Sequence, residues 1–214
     1  MHRIELQTWP RREHFETYHT FDHPHFNMCA NVDLTAFYPA LKEREISFTV
    51  AIVYVFARVA NEIPEFRHRI REGKVVEHEV VHPSITILKD DDLFTFCPFD
   101  YSNDFSLFTT NALQQMAYVK EHPTLKDEPG QDNLLYMTAI PWVSFTSFMH
   151  PTLHDSTDSV PRIAWGKFFQ EGDQLKLPLS VQGHHALMDG VHMGKYYAKV
   201  QDYFLQPRVV LGLD

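Results

Sequence analysis

Between Leu175 and Phe204 the hydrophobic period of the sequence changes, and that change constrains the fold more than any other feature. Leu175, Leu177, Leu179 and Val181 alternate with Lys176, Pro178, Ser180 and Gln182, the pattern of a strand with one buried face. Gln182-Gly183-His184-His185-Ala186-Leu187-Met188-Asp189-Gly190 follows, and then Met193, Tyr196, Tyr197, Val200, Tyr203 and Phe204 recur at helical spacing. A strand therefore ends at a histidine pair and a helix begins at Asp-Gly. Such a join fixes polar side chains at the end of a sheet, on backbone rigid enough to hold them for chemistry.

The remaining segments alternate in the same way. Arg12 to His19 is helix-compatible, Asp33 is placed to cap a short apolar helix broken at Pro39, and Val50 to Ile63 has helical length and composition. Val75 to Leu88 and Leu93 to Phe99 are rich in β-branched and aromatic residues and read as strands. Asn103 or Asp104 caps a helix with Phe108, Ala112, Leu113, Met116 and Val119 on one face, and Glu121 to Asp132 reads as a surface loop. Leu134 to Phe148 is strand-like but bent or at an edge at Pro141, and Gly172-Asp173 joins a hairpin that starts at Ile163. No linker, repeat or low-complexity tract divides the chain, so residues 1–214 are expected to form one α/β domain.

Charge and length exclude several functions. With 19 Lys+Arg against 28 Asp+Glu the net charge is −9, and the longest basic run is Arg11-Arg12, which argues against nucleic acid as partner. Phe48 to Ala60 is too short for a membrane span and is interrupted by Arg58, and the charged N-terminal segment does not resemble a secretory signal. Cys29 and Cys97 form no disulfide framework. A cytoplasmic protein with no membrane partner is the expectation.

The 14 histidines are the unusual count. A histidine at a strand end can present one ring nitrogen to a cleft as general base while the other is held; the plainer reading is a pair of turn residues. Asp189 can cap the following helix, orient a base four residues away, or lock the loop through an arginine, and spacing alone does not separate these roles. His23, His25, His184, His185 and His192 form no metal-ligand spacing, so no metal is expected. There is no G-x-S-x-G elbow and no phosphate-binding glycine loop.

His184-His185-Ala186-Leu187-Met188-Asp189-Gly190 is similar to the H-H-x-x-x-D-G signature of coenzyme A-dependent acyltransferases, and nearly the whole chain resembles the chloramphenicol acetyltransferase family. Five further stretches agree in order: Trp9-Pro10-Arg11-Arg12-Glu13-His14-Phe15, Tyr101-Ser102-Asn103-Asp104, Ala139-Ile140-Pro141-Trp142-Val143-Ser144-Phe145, Gly166-Lys167-Phe168 and Leu177-Pro178-Leu179-Ser180-Val181-Gln182.

The resemblance implies a two-layer sandwich, a mixed β-sheet covered by helices, assembled as a homotrimer with active sites between subunits. It implies an acetyl-CoA-dependent O-acetyltransferase that modifies a small-molecule hydroxyl acceptor, with antibiotic resistance as the family's associated trait. His185 would be the general base, Thr138 would stand in for the family's serine as oxyanion donor, and Asp189 would pair with Arg11 as a structural lock. Ala164 replaces a threonine common in the family. Tyr18, Phe26, Phe94 and Phe148 would line the acceptor pocket, where His150, Thr152 and Arg162 replace apolar residues and Phe96 a small one. These replacements suggest an acceptor more polar than chloramphenicol, or anionic. The alternatives are a dihydrolipoyl-type acyltransferase core, disfavoured by the Trp9 to Phe15 stretch, and a non-catalytic ligand-binding protein, disfavoured by the intact His185 and Asp189-Gly190.

Overall fold

The structure, a computed structural model, describes residues 1–153 and 157–213. The chain opens with β1 (His2–Arg3), α1 (Arg12–Tyr18), β2 (His25–Asp33), α2 (Phe37–Glu43) and α3 (Phe48–Glu62). A short α4 (Pro64–Arg67), β3 (His68–Arg71), β4 (Lys74–Glu77), β5 (His82–Leu88), β6 (Phe94–Pro98) and α5 (Phe105–Glu121) follow. The last part comprises β7 (Leu134–Ile140), β8 (Arg162–Gly166), β9 (Phe169–Glu171), β10 (Gln174–His184), α6 (Gly190–Leu205) and α7 (Pro207–Leu211).

Seven strands form one mixed sheet in the order β2-β10-β8-β7-β5-β6, with β9 paired to β10. β7 runs parallel to β5 and β8, whereas β10 is antiparallel to β2 and β8. The alternation read in β10 is observed: Leu177, Leu179 and Val181 join Ile163, Trp165, Leu135 and Met137 in the core beneath the helices. By the same period Ser180, Gln182 and His184, Arg162 and Ala164, and Tyr136 and Thr138 face the other side.

α3 is buried on nearly every side, because ten of its residues, Val50 to Ala57 with Val59 and Ala60, are apolar or aromatic and inaccessible. Ser47 caps it, and Asp104 caps α5 by accepting from the Leu107 N–H at 3.0 Å. A second, smaller cluster of Phe15, Ile70, Val75, Ala186 and Leu187 packs α1 and the three-stranded sheet β1-β4-β3 against the turn after β10. That cluster ties the histidine turn to α1 and the small sheet.

Several local expectations are corrected. Asp33 does not cap α2; its Oδ1 accepts from the Thr35 N–H at 2.8 Å, and the helix starts later, at Phe37. Pro39 consequently lies in the first turn of α2, where a missing N–H costs nothing, and does not break it. Val75 to Leu88 divides into two strands, β4 and β5. Leu113 is half exposed rather than on the apolar face of α5. The strand beginning at Leu134 stops at Ile140, because Pro141 has no N–H to continue the ladder. The hairpin is formed by β9 and β10 around Gly172, whose φ of 58° suits a residue without Cβ. Among the described residues no helix is long and apolar enough to cross a membrane.

Candidate active site

The turn after β10 separates the two histidines by environment. His184 is buried, its Nδ1 accepts from the Ala186 N–H at 3.2 Å, and its carbonyl accepts from Leu187 and Met188. Its ring and backbone close the turn. His185 is about a third exposed and is held by its surroundings: its N–H donates to the Pro24 carbonyl at 2.8 Å, the Tyr18 ring stacks on the imidazole at 4.0 Å, and Phe26 lies 4.7 Å away. His185 Nδ1 lies 3.2 Å from Asp189 Oδ1 without the alignment of a hydrogen bond. Nε2 lies on the opposite side of the ring from that carboxylate.

Asp189 is fixed from two directions. Arg11 forks its carboxylate, with Nη2 to Oδ1 at 3.0 Å and Nη1 to Oδ2, and Nη2 also donates to the His185 carbonyl at 3.3 Å. The hydrogen bond from Arg11 is the first cause that holds the Asp189 carboxyl below its ordinary range. On the other side, the Asp189 N–H donates to His192 Nδ1 at 2.9 Å.

Thr138 lies elsewhere in the same chain. It pairs with Ala164 on β8, which pairs with Ser180 on β10. Two strand spacings separate Thr138 from β10, about 10 Å, and His185 lies a further five residues along, about 16 Å, so the two Cα atoms are roughly 19 Å apart. Their side chains cannot meet on one reacting group within a single chain. Phe94, on edge strand β6 and half exposed, is four spacings from β10 and farther still from His185.

On the sheet face that bears Thr138 lies a polar cluster. The segment after β7 crosses this face, with Ser180 Oγ 2.8 Å from both the Phe148 carbonyl and Asn27 Oδ1, and the His150 N–H donating to Gln182 Oε1 at 2.9 Å. Arg162 is buried here, but its charge is already met: Nη2 bonds both oxygens of Asp158 at 2.8 and 2.6 Å, and Nη1 donates to the Val160 carbonyl. An anionic acceptor is therefore not required to neutralise it, which removes the reason for expecting one. Burial, with Arg162 adding, pushes the His150 imidazole down to about 4, and burial likewise lowers His25. Among the described residues neither buried Nε2 has a hydrogen-bond partner.

The expected site residues thus fall into two groups. Arg11, Tyr18, Phe26, His185 and Asp189 converge at the turn; Thr138, Phe94, Phe148, His150 and Arg162 are distributed over the sheet face. Asp158 and Glu65, the latter 3.3 Å from His192 Nε2, were not apparent from the sequence, since each meets its partner through an irregular or distant segment. Among the described residues no three His, Cys, Asp or Glu side chains are grouped to hold a metal.

Comparison with known proteins agrees over almost the full length. The family described as chloramphenicol acetyltransferase matches residues 1–201. A chloramphenicol acetyltransferase from Escherichia coli is 31% identical over 201 residues, covering 94% of this chain and 92% of the relative. Chloramphenicol acetyltransferase 2 from Haemophilus influenzae is 32% identical over 201 residues, 93% and 94% of the two chains. A solved chloramphenicol acetyltransferase superposes with a TM-score of 0.84 at 28% identity, covering 96% of this chain and all of that one. The cubic core of the pyruvate dehydrogenase multienzyme complex, at 17% identity and a TM-score of 0.64 over 88% and 84% of the chains, shares the fold.

Proposed function

The chain belongs to the chloramphenicol acetyltransferase family, an acyltransferase family, and from that premise we propose that it is an acetyl-CoA-dependent O-acetyltransferase acting on a small-molecule alcohol. His185 Nε2 takes the proton of the acceptor hydroxyl as that oxygen attacks the thioester carbonyl. The tetrahedral oxyanion is met by the Thr138 hydroxyl, and a preformed donor of this kind is worth about 10²-fold or more in rate. Collapse breaks the C–S bond, and the thiolate recovers the proton from His185. No acyl-enzyme is needed, and no metal takes part.

The separation of Thr138 from His185, roughly 19 Å by strand geometry, carries the structural part of this reading. If both act on one substrate they come from different copies of the chain, and a closed homotrimer supplies that neighbour at every site. Tyr18 and Phe26 then line the side of the pocket nearer the base, with Phe94, Phe148, His150 and Arg162 on the facing side. The relatives' names point to chloramphenicol as acceptor. The buried imidazoles of His25 and His150 favour an acceptor richer in neutral hydrogen-bonding groups, since unpaired polar atoms in a pocket penalise apolar ligands. Two free cysteines fit a reducing, cytoplasmic setting.

Release of free coenzyme A thiol, followed over a panel containing chloramphenicol and hydroxyl-rich neutral alcohols, tests this function. Acceptor-dependent release supports it; no release with any hydroxyl acceptor, with acetyl-CoA still bound, would favour a binding protein.

A further inference from the structure

His192, three residues into α6, is buried, and the mechanism above does not use it. Its Nδ1 accepts the Asp189 N–H at 2.9 Å. A backbone amide only donates, so this nitrogen carries no proton and the ring's proton sits on Nε2. Nε2 lies 3.3 Å from Oε1 of Glu65, near the start of α4, in a part of the chain remote in sequence. The interaction with His192 is the first cause that holds the Glu65 carboxyl down to about 2, against the opposing effect of burial.

A glutamate or glutamine three residues into a helix would be the ordinary partner for the cap residue's N–H. A histidine at that place works only with Nδ1 bare, and an acceptor facing Nε2 holds the ring in that tautomer. Glu65 is the group in place to do so. Asp189 is then held at its carboxylate by Arg11 and at its amide by His192, so the backbone that carries His185 is fixed from both sides.

We propose that Glu65 and His192 are positioning residues for acetyl transfer: Glu65 fixes the His192 tautomer whose Nδ1 holds the Asp189 amide, and that bond sets the turn on which His185 is mounted. The kinetic part rests on the acetyltransferase reading; the tautomer does not. Misplacing a catalytic group by about an ångström costs up to about 10²-fold in rate, so loss of the bond should appear in kcat.

Two measurements decide it. In protein labelled with ¹⁵N-histidine, long-range proton–nitrogen NMR should show a ring with bare Nδ1 and protonated Nε2 that disappears in His192→Asn and loses this tautomer preference in Glu65→Ala. A wild-type His192 protonated at Nδ1 overturns the proposal whether or not acetyl transfer is found. In kinetics, His192→Leu should lower kcat about tenfold or more, with KM for acetyl-CoA and acceptor within about twofold, since only the base is misplaced. His192→Asn, which offers a side-chain oxygen close to the place of Nδ1, should recover kcat to within about threefold. Equal kcat for Leu and Asn overturns the proposal. Should His192→Leu fail to fold, Glu65→Gln against Glu65→Ala makes the same comparison, because Gln keeps an acceptor for Nε2–H, and equal values again refute it.

Discussion

Removing either member of the Arg11–Asp189 pair should destabilise the protein and misplace His185 together. The side chains are 12% and 26% exposed, and the guanidinium's Nε is buried with no hydrogen-bond partner among the described residues, so its solvation depends on the bonds at Nη1 and Nη2. Breaking a fully buried ion pair costs about 3 to 5 kcal/mol, because the remaining charge is stranded. Scaled for the partial exposure of Asp189, about 2 to 4 kcal/mol is expected for Arg11→Ala or Asp189→Ala alone. The double variant should lose little more than either single one, leaving a coupling of about 2 to 4 kcal/mol in the cycle. Urea unfolding at one fixed protomer concentration measures this, since assembly contributes to apparent stability. The pair also predicts a pH dependence. The Asp189 carboxyl is held below its ordinary value chiefly by the Arg11 hydrogen bond, so its contribution is complete above about pH 4 and is lost as pH falls through the lowered native value. The advantage of wild type over Asp189→Asn should therefore shrink below about pH 4. Additive single losses, or an advantage that grows on acidification, would refute the lock.

Other outcomes follow from the same site. His185→Ala should lower turnover by about two to four orders of magnitude with the fold retained, and His184→Ala should cost clearly less in turnover and more in thermal stability; equal rate losses would mean the base is misassigned. Gly183→Ala should cost about 1 to 3 kcal/mol in urea unfolding, because the added methyl would overlap the Met188 sulfur and approach Met193 Cε to 2.9 Å, beneath the histidine turn; a neutral effect would mean that this packing yields freely. Asp158→Leu with Arg162→Val and His150→Leu, which removes the polar cluster without stranding a charge, should raise kcat/KM for chloramphenicol relative to a polyhydroxyl acceptor by about tenfold or more. No change in that ratio would remove the cluster from acceptor selection.

How legible this was in the sequence differs from segment to segment. The alternation from Leu175 to Gln182 and a cap at Asn103 or Asp104 identify their elements directly, since period and capping are local properties, and the structure places the cap at Asp104. Pro39 was misleading because its effect depends on where the helix begins, and the Asp33 side chain spends its acceptor on Thr35 instead of setting that start. The fold family was readable from ordered motifs, whereas the pairing of Arg162 with Asp158 was not. Those residues lie before and at the start of β8, and the stretch from Pro141 onward has no period from which a side-chain direction can be inferred. Glu65 and His192 were hidden for a different reason: they meet only once α3, α4 and α6 have packed, and no local pattern encodes that contact.

The shared site proposed for this protein takes His185 from one copy of the chain and Thr138 from another. Co-expression of His185→Ala and Thr138→Ala chains, with assembled oligomers purified and coenzyme A release measured, tests it directly. Each variant alone should be nearly inactive. In randomly mixed closed oligomers about a quarter of the interfaces join an intact His185 to an intact Thr138, so activity should return to about a quarter of wild type. Activity no higher than the mean of the two variants alone, in oligomers shown to contain both chains, would contradict the shared site.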